Sequence, residues 1–312
     1  MLVHHTHSFT SFDFLREFQK KVILPEGFPA HPHRGFITLT YCLKGGMIHR
    51  DSLGCKQTYG AQPRHGGNVA QWLVAGAGML HEEMWDVDYD KDGWASQQEL
   101  FQLWVNLPSK DKMATPRFSL LNDHDHNPMD LDLDADLGGD MDLDNISIPV
   151  MEKDNTKTLV LVGEYDNLRS NVETFSPMSI LHVQMEPNSS WSMTLPSSYK
   201  TGIMYMRTGS AFCNTEYAEK QEIDTHYTAT LTPYGGTFDV VAGGDGADFM
   251  FLAGEPLYEP VQAQGSMVMN SPEEINVAYN DYSRGKMGLP WDHNLTDEEW
   301  EMHVIKSPSV YK

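Results

Sequence analysis

Two short runs in the first third of the chain, His31-Pro32-His33 and His81-Glu82-Glu83, hold four side chains whose types suit a transition metal. Imidazole nitrogens and a carboxylate oxygen bind Fe(II), Mn(II), Ni(II) or Zn(II), and open coordination positions are what dioxygen chemistry requires. The spacing matters as much as the types. In a β-strand, residues i and i+2 project to the same face, so each H-x-[HE] pair sends both side chains the same way. Two such strands on one small barrel would bring His31, His33, His81 and Glu83 to one point. Two half-buried strands carrying histidines by accident would not.

The elements that must position these pairs read as strands of an all-β protein. Phe36 to Tyr41 is rich in β-branched and aromatic residues and reads as a strand, and Gly45-Gly46 then makes a turn. Throughout the chain such runs are short and broken by Gly and Pro, which favours a sandwich or barrel. A length of 312 residues suits two barrels of about 110–130 residues each. In the second half, residues 179–183, 202–206 and 249–252 read as strands. Ser190-Trp191-Ser192 stands there where a metal-binding barrel would carry H-x-H, and His182 and His226 are isolated. The second barrel is therefore expected to be metal-free. From Pro272 to Arg284 the apolar spacing predicts one C-terminal helix, with Ser271 as its N-cap.

A net charge of −22 excludes direct nucleic-acid binding, since so acidic a chain gains nothing from counterion release. Nine aspartates and no Lys or Arg lie between Asn122 and Asn145. Such a segment cannot offset its own ordering entropy and reads as a mobile linker or insertion, or as a docking motif for a basic partner. No run of apolar residues is long enough to span a membrane, and no targeting signal is legible at the N-terminus. Cys42, Cys55 and Cys213 show no C-x-x-C spacing and read as free thiols of a reducing compartment.

A second acidic pattern, Asp88-Tyr89-Asp90-Lys91-Asp92-Gly93 followed by Glu99, matches D-x-D-x-D-G-x5-E. In a calcium loop Asp88, Asp90, Asp92 and Glu99 would supply the oxygens and Gly93 the sharp turn. The flanks read as strands rather than helices and Ala95 replaces the usual β-branched residue, so a solvated acidic turn is the competing reading.

The ordered set H-P-H-R-G-F (31–36), A-G-A-G-M-L-H-E-E (75–83) and Q-L-W-V-N-L (102–107), with A-G-E-P-L (253–257) and Met269-Asn270 further on, resembles the pirin family of the cupin superfamily. The resemblance covers roughly residues 10–121 and 158–285. It implies two cupin, jelly-roll-like β-barrels in tandem with a short C-terminal helix: a metal-binding barrel at 1–121, an acidic linker or insertion at 122–157, and a metal-free barrel with the helix at 158–312. It implies one Fe(II) on His31, His33, His81 and Glu83, in a cytoplasmic or nuclear protein expected to be a monomer.

Two functions follow from the resemblance. One is a quercetinase-like dioxygenase that takes a flavonol-type aromatic substrate and O2, with Glu83 as ligand and base and Phe36, Met79 and Gln71 near the pocket. The other is an iron-dependent redox-sensing regulator that binds a transcription factor or another protein. Arg34 is expected in a salt bridge at the barrel rim. Family members carry additional strands ahead of residues 12–36, so a barrel short of strands, or a truncated start, is expected here. His4, His5 and His7 read as a disordered tail able at most to scavenge metal.

Overall fold

The computed structural model describes residues 1–7, 27–88, 95–123, 144–215, 218–231 and 236–311. The chain divides into two compact units, Met1–Asn145 with Glu259–Lys312, and Ile146–Tyr258. The first contains β1 (Leu2–His7), β2 (Gly27–His33), β3 (Phe36–Lys44), β4 (Gly46–Asp51), β5 (Lys56–Gly60), β6 (Asn68–Val74), β7 (Met79–Trp85), β8 (Gln98–Asn106) and β9 (Arg117–Asp123). They lie in two antiparallel sheets, one running β1-β8-β3-β6-β9 and the other β2-β7-β4-β5.

Residues opposite one another in an antiparallel ladder share a face, so register decides what enters the barrel. His31 lies opposite His81, and on the other side of β7 His81 and Glu83 lie opposite Asp51 and His49. Across the barrel, Thr40 of β3 lies opposite Gln102 of β8.

The N-terminus differs from expectation. Residues 2–7 form β1, paired with β8 from Leu2–Leu103 to His7–Gln98. Three histidines in six residues resemble a polar tail in composition. Their backbone groups nevertheless have a partner in β8, and alternation places His5 opposite the buried Leu100.

The far end is a second correction. The second barrel stops at Tyr258, and residues 259–312 return to the first unit. Met267, Met269, Ile275, Ala278, Met287, Trp291, Trp300 and Val304 cluster with Leu80 of β7, and this apolar burial draws the tail back. The helix Pro272–Ser283 forms as expected, and Ser271 and Glu274 close a capping box at its start. A second helix, Asp297–Lys306, is capped in the same way by Thr296 and Glu299. The linker expected at 122–157 also ends earlier, since residues 146–157 belong to the second unit and strands cover Val150–Lys153 and Thr156–Val162. The acidic stretch 124–143 lies outside the described residues.

The second unit is built on two long strands, Thr201–Thr215 and Gly236–Gly254, paired with each other. Trp191 fills its core against Phe249 and Phe251 and donates its indole N–H to Thr158 Oγ1 at 2.9 Å. His182 is bound to Asp248 at 2.9 Å, and His226 meets the Tyr205 hydroxyl at 3.1 Å.

The motif glycines of the first unit have steric reasons. Gly35 has φ +84°, a conformation L side chains rarely adopt, and a Cβ there would meet the Val268 carbonyl at 2.0 Å. Gly78, at φ +119°, lies against Met287 and the Arg34 guanidinium. Both let the returning C-terminal segment approach the strands that carry the histidines.

Arg34 sits in the core rather than at a rim, 1% exposed. It donates to the Ala77 carbonyl at 2.6 Å, Asp281 Oδ2 at 3.0 Å and the Tyr311 hydroxyl at 2.7 Å. Burial alone would raise the Asp281 pKa, but hydrogen bonds from Lys286, Arg34 and Tyr311 hold it down to about 2. Its contribution to stability is therefore present above the ordinary carboxylate range and lost as pH falls from about 4 through about 2. Asp281→Asn should destabilise the protein by about 3 kcal/mol at pH 7, because Arg34 would be left buried without its counter-charge. Urea melts at pH 7 and pH 3 check both statements, since the gap between variant and wild type should narrow at the lower pH.

Candidate metal centre

The pocket is built from adjacent strands. His31 and His33 project from β2, and His81 and Glu83 from β7, all into the barrel interior. His33, His81 and Glu83 are buried and His31 is half-buried. His31 Nε2 lies 3.1 Å from His33 Nε2 and 3.0 Å from His81 Nε2. The three ligand nitrogens all fall within 4.8 Å of one another.

The tautomer of His31 follows from its other nitrogen. Nδ1 is 2.8 Å from the Pro29 carbonyl oxygen, which only accepts, so Nδ1 carries a proton and Nε2 is the nitrogen turned toward His33 and His81. Burial, followed by the neighbouring His31, holds the His33 pKa well below its ordinary value. Burial and then His31, His33 and His49 do the same to His81. Converging imidazole nitrogens, two of them on rings that burial keeps from charging, fit a divalent metal. Bonds of about 2.0–2.1 Å meeting at right angles place two nitrogens about 3 Å apart, the spacing observed here.

Glu83 stands beside this group, with Oε2 3.9 Å from His81 Nε2. Thr40 donates to its Oε1 at 2.9 Å and Gln102 to its Oε2 at 2.8 Å, while the Tyr59 hydroxyl reaches Oε1 at 3.5 Å. These donors come from three further strands and fix the carboxylate in orientation as an acceptor.

Thr40, Tyr59, Gln102 and the pair His49–Asp51 were not anticipated as site residues. His49-Arg50-Asp51 repeats the one-residue gap of the other two pairs, and that was the available signal. The His49 ring packs edge-on to His81 with centroids 5.4 Å apart, and its Nε2 lies 3.1 Å from Asp51 Oδ2. Asp51 Oδ1 in turn accepts the backbone N–H groups of Leu53 and Cys55, so this pair is fixed beside His81 on the same face of the sheet. Thr40 and Gln102 gave no signal, because only the sheet topology brings them to Glu83.

Of the expected pocket residues, Phe36 lies 4.9 Å from the His33 ring and 4.5 Å from Trp104. Gln71 is buried and donates to Gln57 at 2.7 Å, and Met79 joins an apolar cluster with Leu73 and Phe118. In the calcium pattern, Asp90 and Asp92 lie outside the described residues. Glu99 is bound to His4 and Lys44, each at 3.1 Å, and Asp88 contacts Arg64.

Two antiparallel β units, one holding converging imidazoles, define a protein of the two-barrel cupin class. The chain belongs to the pirin family: the Pirin model matches residues 2–105 and the pirin C-terminal cupin domain matches residues 180–288. It is 34% identical to a pirin-like protein of Solanum lycopersicum over 89% of this chain and 82% of that one. It is also 34% identical to human pirin over 85% and 79%. Among solved structures, a quercetin 2,3-dioxygenase from Acinetobacter baumannii superposes with a TM-score of 0.68 at 26% identity, covering 92% of this chain and 84% of that one. Among the described residues no helix is long and apolar enough to cross a membrane.

Removing the donor that orients Glu83 should weaken the centre without unfolding the barrel. Gln102→Ala is expected to cost 10- to 100-fold in metal affinity, read by competitive Ni(II) titration, with the thermal midpoint little changed.

Proposed function

We propose that the first barrel is a mononuclear iron dioxygenase acting on flavonol-type aromatic substrates, with His31, His33, His81 and Glu83 as metal ligands. The observation that carries the reading is His31 Nε2 lying 3.1 Å from His33 Nε2 and 3.0 Å from His81 Nε2, all three within 4.8 Å of one another, with a hydrogen-bonded carboxylate alongside. Likeness to a quercetin 2,3-dioxygenase along most of both chains supports the substrate class. A pirin from Escherichia coli with the same fold has been solved in complex with nickel(II), which supports a divalent metal at this place.

Fe(II) held here would supply Lewis acidity, one-electron chemistry and vacant positions for a chelating substrate. The chain's own residues do the rest. Glu83, which accepts hydrogen bonds from Thr40 and Gln102, takes the proton of the substrate hydroxyl. Thr40 and Gln102 each bind one of its oxygens, so the acceptor is oriented before substrate arrives. Phe36 and Trp104 shield the His33 side from water.

Oxygen uptake by iron-loaded protein with quercetin tests this reading. Uptake matching substrate loss, and falling at least about 100-fold in Glu83→Ala, is the expected result. One iron per chain without uptake would reject the dioxygenase and favour the iron-dependent regulator.

A further inference from the structure

The barrel mouth near Glu83 is framed by two sheet edges. β1 is the terminal strand of one sheet and β2 of the other. Three residues of β1, Val3, His5 and His7, lie opposite Gln102, Leu100 and Gln98. They therefore share the face from which Gln102 holds Glu83. Phe28 of β2 lies directly opposite Glu83 in the β2–β7 ladder, and Trp85 follows Glu83 by two residues on the same face of β7.

Side-chain contacts close this frame. The Phe28 ring meets His5 edge-on at 5.7 Å, and His5 and His7 lie nearly parallel, 14° between planes and 6.5 Å between centroids. His7 reaches Trp85 at 5.2 Å. His5 and Phe28 are half-buried and His7 is exposed, while Trp85 is buried in an apolar cluster that Phe28 packs against, so the open edge of the group is His5, His7 and Phe28. His4, next to His5 on the strand, points the other way and binds Glu99.

We propose that β1 supplies the substrate-binding lip of this centre: His5 and His7, with Phe28 and Trp85, form an aromatic ledge beside Glu83 that takes a planar, hydroxylated ring. Flat imidazole and phenyl rings offer stacking and edge contacts to such a ring. The imidazole nitrogens offer hydrogen bonds to its hydroxyl or oxide oxygens. A ring seated there would present its oxygens toward Glu83. His5 and His7 are thus specificity-determining residues that touch substrate without belonging to the ligand set. The inference rests on the flavonol reading for its substrate class, but the ledge is a binding surface in its own right.

Quenching of tryptophan fluorescence by quercetin, titrated into the metal-free and the nickel-loaded full chain, tests it. Saturable quenching is expected in both forms. His5→Ala and His7→Ala should each weaken binding about tenfold, with nickel content unchanged. His4→Ala should leave binding as in the wild type, and His5→Phe, which keeps a ring and β1 packing, should recover part of the loss. Wild-type protein that does not quench in the metal-free form, or a His5→Ala that binds as tightly as wild type, overturns the ledge. Quenching as expected without oxygen uptake by the iron-loaded protein upholds the ledge and rejects the dioxygenase instead.

Discussion

Three converging imidazoles, with His31 Nε2 about 3 Å from the Nε2 atoms of both His33 and His81, set the terms for everything around them. They cannot all point protons inward, and burial disfavours charging the rings. The His31 Nδ1 proton is therefore given to the Pro29 carbonyl, and His33 and His81 are kept neutral by burial. The carboxylate beside them takes its hydrogen bonds from neutral donors, Thr40, Gln102 and Tyr59. No Lys or Arg among the described residues forms an ion pair with Glu83, so its negative charge remains directed at the imidazoles.

Holding that arrangement requires strands that do not shift, and the C-terminal return provides the brace. Arg34 follows His33 directly and is fixed by Asp281 and Tyr311 from the far end of the chain. Lys112 is buried and ties the Gly35 and Val268 carbonyls together, at 2.8 Å each. On the outer face of β7, Glu82 pairs with Arg50 at 3.4 Å, and Arg50 continues to Asp297 on the second helix. The strands carrying His33, His81 and Glu83 are thus held from behind by the last fifty residues.

The four metal-ligand candidates were legible because a gap of one residue fixes a face on a strand, whichever sheet the strand joins. The helix at 272–283 was legible from Ser271-Pro272 and its apolar spacing. The partners of Glu83 were not, since Thr40 and Gln102 come from strands whose adjacency is decided by topology. The placement of residues 259–312 was hidden for a related reason. Chain order suggests continuation of the second barrel, whereas the apolar surface of Met267, Met287 and Trp300 is matched by Leu80. At the N-terminus, composition argued for a tail and the ladder with β8 prevailed. His49–Asp51 carried a readable signal, the same one-residue gap, and is the clearest case of a feature present in the sequence but not used.

Anomalous diffraction from crystals grown with one equivalent of Fe(II) or Ni(II) addresses the central claim most directly. The account predicts a single strong peak per chain within about 2.2 Å of the Nε2 atoms of His31, His33 and His81, with the Glu83 carboxylate turned toward it. A peak at the N-terminal histidines or among Asp88, Asp90, Asp92 and Glu99, with none between the three rings, would contradict it.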